Sequence, residues 1–270
     1  MLRVHRLAQS FLKEWRQERR RKLSLVSEIV LPLLFALPLV LMGLTFVGGS
    51  RSGFIQAVGT PYLLTYYAIG TILLDVSDTL YFGADGFVED ESMQGTLEIQ
   101  LAAPSSFVEI LMGYLLYSMV KKSLAVFAAL GAVFLIERPT LNLDLAKLAG
   151  SLTLYVIYLA ALGTLMAGFR MLSRGKTFPI TIYGLVLTLS GYTYPVSVLP
   201  QPIRAISLVI PQTHFVDLIR SSVLGIPTVW SPALQFLYVA VATLVIIFLS
   251  GAGFVLLYRQ AKREGTLPWY

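Results

Sequence analysis

Four charged residues set in apolar sequence are the first candidates for chemistry. Asp75 and Asp78 stand three apart, on one face of a helix, and Lys121-Lys122 interrupt a later apolar run. A carboxylate near the bilayer centre costs about 2.5–3.5 kcal/mol on insertion scales, so one that persists there has a role. One reading is a proton- or ion-coupled polar site. The other is a structural pair near the cytoplasmic end of the helix, held by Lys121 or Lys122; counted from Pro61, the acids lie about 21 and 26 Å along it. Other chemistry has little to work with. There are no cysteines, hence no disulfides or thiolates, and His5 and His214 are too few for a histidine metal site. Gly175-Lys176-Thr177 ends like a phosphate-binding loop, but Arg170 stands where its first glycine belongs. ATP hydrolysis by that route is excluded, so any ATP-driven work comes from a partner.

The elements that position these residues are membrane helices. The chain is 56% hydrophobic and 13% charged, with a mean hydropathy of +0.73. A soluble domain carries roughly twice that charged fraction. The apolar residues fall in runs of about 20, the length that crosses a bilayer. The fold class is therefore an all-α polytopic membrane protein. The net charge of +6 gathers near the ends, which speaks to topology and lipid headgroups and not to nucleic acid. No cleavable signal is expected, because the first apolar run follows a basic helix.

Residues 1–24 read as an interfacial amphipathic helix. Val4, Leu7, Ala8, Phe11 and Trp15 share a face, with Arg3, Arg6, Lys13 and Arg16 off it. A transmembrane domain of six spans follows over 25–258, and 259–270 form a tail. The spans are expected over about 25–47 (with Pro32 and Pro38 inside), 61–82, 107–136, 145–169, 177–194 and 233–258. The third exceeds a bilayer, so its first turns are expected to project. Between the fifth and sixth, Pro195, Pro200, Pro202 and Pro211 divide the chain into pieces too short to cross. Residues 195–224 are expected to dip into the outer leaflet and return, with Thr213 capping the second piece. Ser231-Pro232 reads as a cap with proline in the first turn of the last span.

With six spans, one side holds fourteen basic residues, in 3–22, 170–176 and 259–263, and the other holds Arg51, Arg138, Lys147, Arg204 and Arg220. The richer side is cytoplasmic by the positive-inside rule, so both termini are expected inside a cytoplasmic (inner or plasma) membrane. Between spans two and three lies an acidic stretch, Glu89-Asp90-Glu91, before Met93, Leu97 and Leu101, apolar at every fourth position. It predicts a short amphipathic helix over about 87–101, its acids at the positive pole of the dipole, exposed to a partner outside the bilayer.

Gln94-Gly95-Thr96-Leu97-Glu98, then Ala103-Pro104, stands between spans two and three. On that segment the chain resembles the membrane subunit of type-2 ABC transporters, whose acidic-Gly-Thr-Leu-Glu segment lies in the cytoplasmic coupling helix region. Gly191-Tyr192-Thr193-Tyr194-Pro195, Leu199-Pro200, Ile210-Pro211-Gln212-Thr213 and Arg220 are similar to its outer re-entrant hairpin, and the basic start to its elbow helix. One departure is that no basic residues interleave the acids before Gly95. The resemblance implies a permease without its own ATPase site. Two copies, or a heterodimer with a sibling, would form the path, and two ATP-binding subunits holding ATP and Mg would dock at Glu89, Asp90, Glu91, Gln94, Gly95, Thr96, Leu97 and Glu98. The cargo implied is a lipophilic small molecule or lipid moved outward. A polysaccharide or lipid-linked glycan is the alternative within the family, and a proton-coupled secondary transporter using Asp75 and Asp78 the alternative outside it.

Two aromatic readings stay open. Tyr62, Tyr66, Tyr192 and Tyr194 either line the outer part of a substrate path, where rings stack on sugars or flat molecules, or form an interfacial belt. His214, near Asp217 and Arg220, is either a pH sensor or a hydrogen-bonded cap, and Trp230 reads as an interfacial anchor.

Overall fold

A computed structural model describes residues 9–13, 15–16, 45, 51–102, 107–172 and 177–264. The first expected span and most of the basic amphipathic segment lie outside these residues. Nine α-helices follow one another among them: α1 (Arg51–Val58), α2 (Leu63–Met93), α3 (Leu97–Ala102), α4 (Phe107–Glu137), α5 (Leu145–Leu172), α6 (Thr177–Leu189), α7 (Gln201–Ser207), α8 (Pro211–Leu224) and α9 (Pro232–Glu264), with a 3-10 turn at Val196–Val198 before α7. No strand interrupts them.

Helices α4, α5 and α9 are long and apolar enough to cross a membrane, and α1 with α2 makes a fourth candidate bent by 58°. The bend is local chemistry. Gly59 adopts φ +83 and its amide closes α1 by donating to the Ile55 carbonyl at 2.8 Å; Pro61 then blocks continuation. Helix α6 has 13 residues, about 20 Å of rise, less than the full width expected of the fifth span. The sixth begins as expected, at Pro232, and runs to Glu264.

Helices α2 and α9 both pack on α5, and α4 packs on the other side of α2. Outward faces are apolar, as with Phe127 on α4 and Phe248 on α9, both more than two-thirds exposed, which is what a lipid solvent selects. Small residues set the closest approach. A Cβ on Gly163 of α5 would strike the Leu80 carbonyl of α2. One end of α2 is tied down by a distant carboxylate. Tyr62 makes no side-chain cap, and Glu137, at the end of α4, instead accepts from the Leu64 amide (3.1 Å) and from the Thr65 amide (2.7 Å) and hydroxyl (2.6 Å). The free amides of a helix start are thereby satisfied across 73 residues of sequence.

The acidic stretch does not begin a helix. Glu89, Asp90 and Glu91 are the last turns of α2, which ends at Met93. Gly95 sits at φ +65, its amide donates to the Ser92 carbonyl (3.0 Å), and the Thr96 amide reaches back to the Glu91 carbonyl (2.9 Å). This is a Schellman stop, and it turns the expected single helix over 87–101 into two. The acids consequently face the negative pole, an unfavourable place unless cations are brought to them. Met93 is 76% exposed and Leu97 is 2% exposed, so the four-residue spacing does not mark one face.

The hairpin pieces are also redrawn. Helix α8 starts at Pro211 with Ile210 as its N-cap and no side-chain cap, because proline pre-sets the first turn; Thr213, inside the helix, donates to the Ser207 carbonyl at 2.7 Å.

Candidate functional site

Three polar constellations lie along α2. At its C-terminal end, cations from two other elements meet the misplaced acids. Arg170, near the end of α5 and 4% exposed, puts Nη2 2.6 Å from Glu89 Oε1 and Nε 3.7 Å from Asp85 Oδ1. Lys13 Nζ lies 3.0 Å from Glu91 Oε1, and the Thr96 hydroxyl donates to the other oxygen of Glu91. Burial works to raise the Glu91 pKa, but hydrogen bonds from Thr96, Lys13 and Gln100 outweigh it and hold the carboxyl below its ordinary value. Around Lys13, Ser10 donates to the Ile110 carbonyl at 2.9 Å, and Phe11 and Trp15 pack edge-on to Tyr117. The N-terminal segment is thus seated on α4 and on the end of α2.

These contacts sort the residues of the turn into two kinds. Glu91 and Leu97 are buried and hold the turn in place; Asp90, Met93, Gln94, Gly95 and Ile99 are exposed, with Thr96 between. The side chain of Glu98 lies outside the described residues. An exposed acid thus stands beside two exposed apolar side chains on a closed turn, a projecting knob.

Midway along α2, Asp75 pairs with Lys122 at 2.7 Å, the two side chains 30% and 14% exposed. Lys121 is half-buried beside it on α4. Asp78 has a different partner. The Tyr183 hydroxyl lies 3.0 Å from Asp78 Oδ1 and 2.7 Å from Ser77 Oγ, and the Tyr183 ring stacks on Tyr81 at 3.7 Å. The two acids therefore tie α2 to two other helices, α4 and α6.

Near the start of α2 the centre is Arg220 of α8, 3% exposed. Its Nε donates to the Tyr66 carbonyl (3.2 Å), Nη1 to the Tyr66 hydroxyl (3.1 Å) and the Gly191 carbonyl (2.7 Å), and Nη2 to the Tyr192 carbonyl (2.6 Å). Its guanidinium lies 3.8 Å above the Tyr66 ring. Gly70 makes room, since a Cβ there would overlap Arg220 and the Tyr192 carbonyl. Further in, the Tyr155 hydroxyl bonds the Tyr192 hydroxyl (2.9 Å) and the Leu73 carbonyl (2.7 Å).

Of the four tyrosines read as path lining or interfacial belt, three are buried. Tyr66, Tyr192 and Tyr194 are buried against the chain's own hairpin, where Tyr194 donates to the Thr188 carbonyl. Only Tyr62 is partly accessible, bonded to the Thr140 hydroxyl at 2.6 Å. His214 is fully buried, sharing hydrogen bonds with the Leu208 carbonyl (2.8 Å) and Gln235 (3.2 Å) and lying 4.2 Å from the Trp230 ring. Trp230 therefore packs inward on the histidine.

A family model described as ABC-2 type transporter matches residues 6–224. The chain belongs to that family. The match takes in the acidic turn, the polar pairs of α2 and the whole hairpin through α8. The protein is accordingly the transmembrane component of an ABC transporter, a multi-pass membrane protein of a family that works with ATP-binding subunits. Comparison with curated proteins finds no match.

Three residues that organise these contacts in this ABC-2 subunit were not singled out in the sequence. Arg170 counted only among the basic residues, and neither Glu137 nor Tyr183 stood out. For Arg170 a signal existed: a lone cation in the last turn of an apolar helix, with surplus acids at another helix end.

Proposed function

We propose that this subunit is half of the membrane pathway of an ATP-driven exporter. Two ATP-binding subunits, carrying ATP and Mg, sit beneath a pair of permease chains, identical or sibling. Both termini and the turn at Gly95 face the cytoplasm of an inner or plasma membrane. The cargo is a lipophilic small molecule or lipid.

One observation carries this reading. The knob formed by Asp90, Met93, Gln94 and Ile99 straddles the turn that closes the 31-residue helix bearing Asp75, Asp78 and Tyr66, with Asp90 and Met93 in that helix's last turn and Ile99 on α3. A push on it is delivered to a rod braced by Arg170 at one end and by Glu137 and Arg220 at the other. Closure of the ATP-binding subunits then tilts α2 as a unit and carries α4 and α8 with it. Charge on Asp90 guides docking more than it adds affinity.

The absence of cysteine in the chain makes the test clean. A single Ile99→Cys variant, co-expressed with the cognate ATP-binding subunit bearing a cysteine in its surface groove, is expected to cross-link in membranes. The yield should change between ATP-bound and nucleotide-free states. Cross-linking only from Ser197→Cys at the opposite end would overturn the placement. Transport by the purified chain without an ATPase would restore the proton-coupled alternative.

A further inference from the structure

Beside Arg220 lies a cavity of about 290 Å³, bounded by α1, the first turn of α2, the turn after α6, helices α7 and α8, and residues 226–229. Val58, Pro195, Val196, Ile226 and Pro227 give it apolar walls, and Ser197 closes one side by donating to the Ala57 carbonyl at 3.1 Å. Two arginines line it, Arg204 and Arg220, against one acidic residue, Asp217.

The charges in this cavity are unevenly satisfied. Asp217 Oδ2 already accepts from the Val229 amide and from Gln235 Nε2, both at 2.8 Å. Arg220 is held only by neutral acceptors, three carbonyls and a phenol. Arg204, half-buried in the last turn of α7, makes no ion pair among the described residues, and neither does Arg220. Asp217 is the one carboxylate whose field acts on Arg220, and it is already committed to Val229 and Gln235, so the two arginines leave a net positive charge that an entering anion offsets. Arginine also presents the fork that suits phosphate oxygens.

We propose that this cavity is a binding site for an anionic phosphate group, with Arg204 making direct contact and the buried Arg220 supplying a fixed positive field. The walls fit the glycerol end of a headgroup as well as a free ion, so phosphate is the shared chemistry of a phospholipid or a soluble phosphate. The site is separate from the acidic turn and from the Asp75 and Asp78 pairs. It stands whichever cargo the transporter moves.

Native mass spectrometry of the full chain in detergent tests it, with phosphatidylglycerol, phosphatidylcholine and inorganic phosphate as probes. Wild type should retain phosphatidylglycerol in preference to phosphatidylcholine. Arg204→Gln removes a charged hydrogen bond from a half-buried side chain and should cut retention about tenfold, with an unchanged size-exclusion profile. Arg204→Lys, which keeps the charge, should hold at least half of it. Displacement of the lipid by millimolar phosphate identifies a soluble phosphate as ligand, and persistence identifies the headgroup. Equal retention in wild type and Arg204→Gln, equal retention of phosphatidylcholine, or an Arg204→Lys variant as weak as Arg204→Gln would each overturn the assignment.

Discussion

Glu89 on α2 and Arg170 on α5 meet at 2.6 Å, with Arg170 3% exposed at the side chain and Glu89 23%. The pair joins the end of the rod that carries the knob to the helix against which that rod packs. Glu89→Gln removes one of two carboxylates facing a buried guanidinium. A hydrogen bond to a charged group contributes about 1.5–3 kcal/mol, and the apparent melting temperature should fall accordingly. Arg170→Met combined with Glu89→Gln should cost less than the sum of the two single changes. Strict additivity in thermal unfolding would show that the pair is uncoupled.

The Asp75–Lys122 bridge follows the same logic deeper in the bundle. Asp75→Asn leaves Lys122, 14% exposed, without its anion. The double variant Asp75→Asn with Lys122→Met should be more stable than Asp75→Asn alone, because it removes the stranded charge as well. Unfolding of both proteins in nanodiscs decides the point. A double variant no better than the single one would locate the importance of Asp75 elsewhere.

Two glycines on one helix make a matched comparison. Gly70→Ala drives a methyl into Arg220 and the Tyr192 carbonyl, whereas Gly86→Ala meets nothing within 4 Å. Overpacking costs about 1–3 kcal/mol, so the first should lower stability. The second should be neutral or raise it by up to about 1 kcal/mol, since alanine is the better helix former. Similar melting shifts from both would contradict the close approach of α8 to α2.

Seating of the N-terminal segment should weaken in acid. Glu91 is held below its ordinary pKa, so its contribution is complete above the unfolded carboxyl value and is lost as pH falls through the lowered folded value. Trp15, packed against Tyr117, reports on it once Trp230 and Trp269 are replaced by Phe. Its emission should shift red at low pH. Glu91→Gln should give the shifted spectrum at every pH, and an unshifted one would dissociate Glu91 from the docking of Lys13.

How far the sequence reached depended on whether a feature is local. Hydrophobic runs, the proline and glycine punctuation, the proline start of α9 and the family pattern around Gly95 are properties of contiguous residues, so class, family and the start of α9 were legible without coordinates. Partners across long separations were not. That Glu137 would cap α2 was illegible because nothing near Glu137 marks it as a cap. That Tyr66 and Tyr192 would brace Arg220 was illegible too, since an aromatic at a span end suits a belt, a path or a brace equally well.

The acidic turn divides most sharply. Composition determined that acids precede a glycine between two apolar runs, and therefore that a charged break stands there. Whether those acids open a new helix or close the previous one depended on which carbonyls the Gly95 and Thr96 amides could reach. Arg170 and Lys13 decided it, because cations folded in from elsewhere offset acids at the wrong pole of a dipole, and only the tertiary structure brings them to the same place.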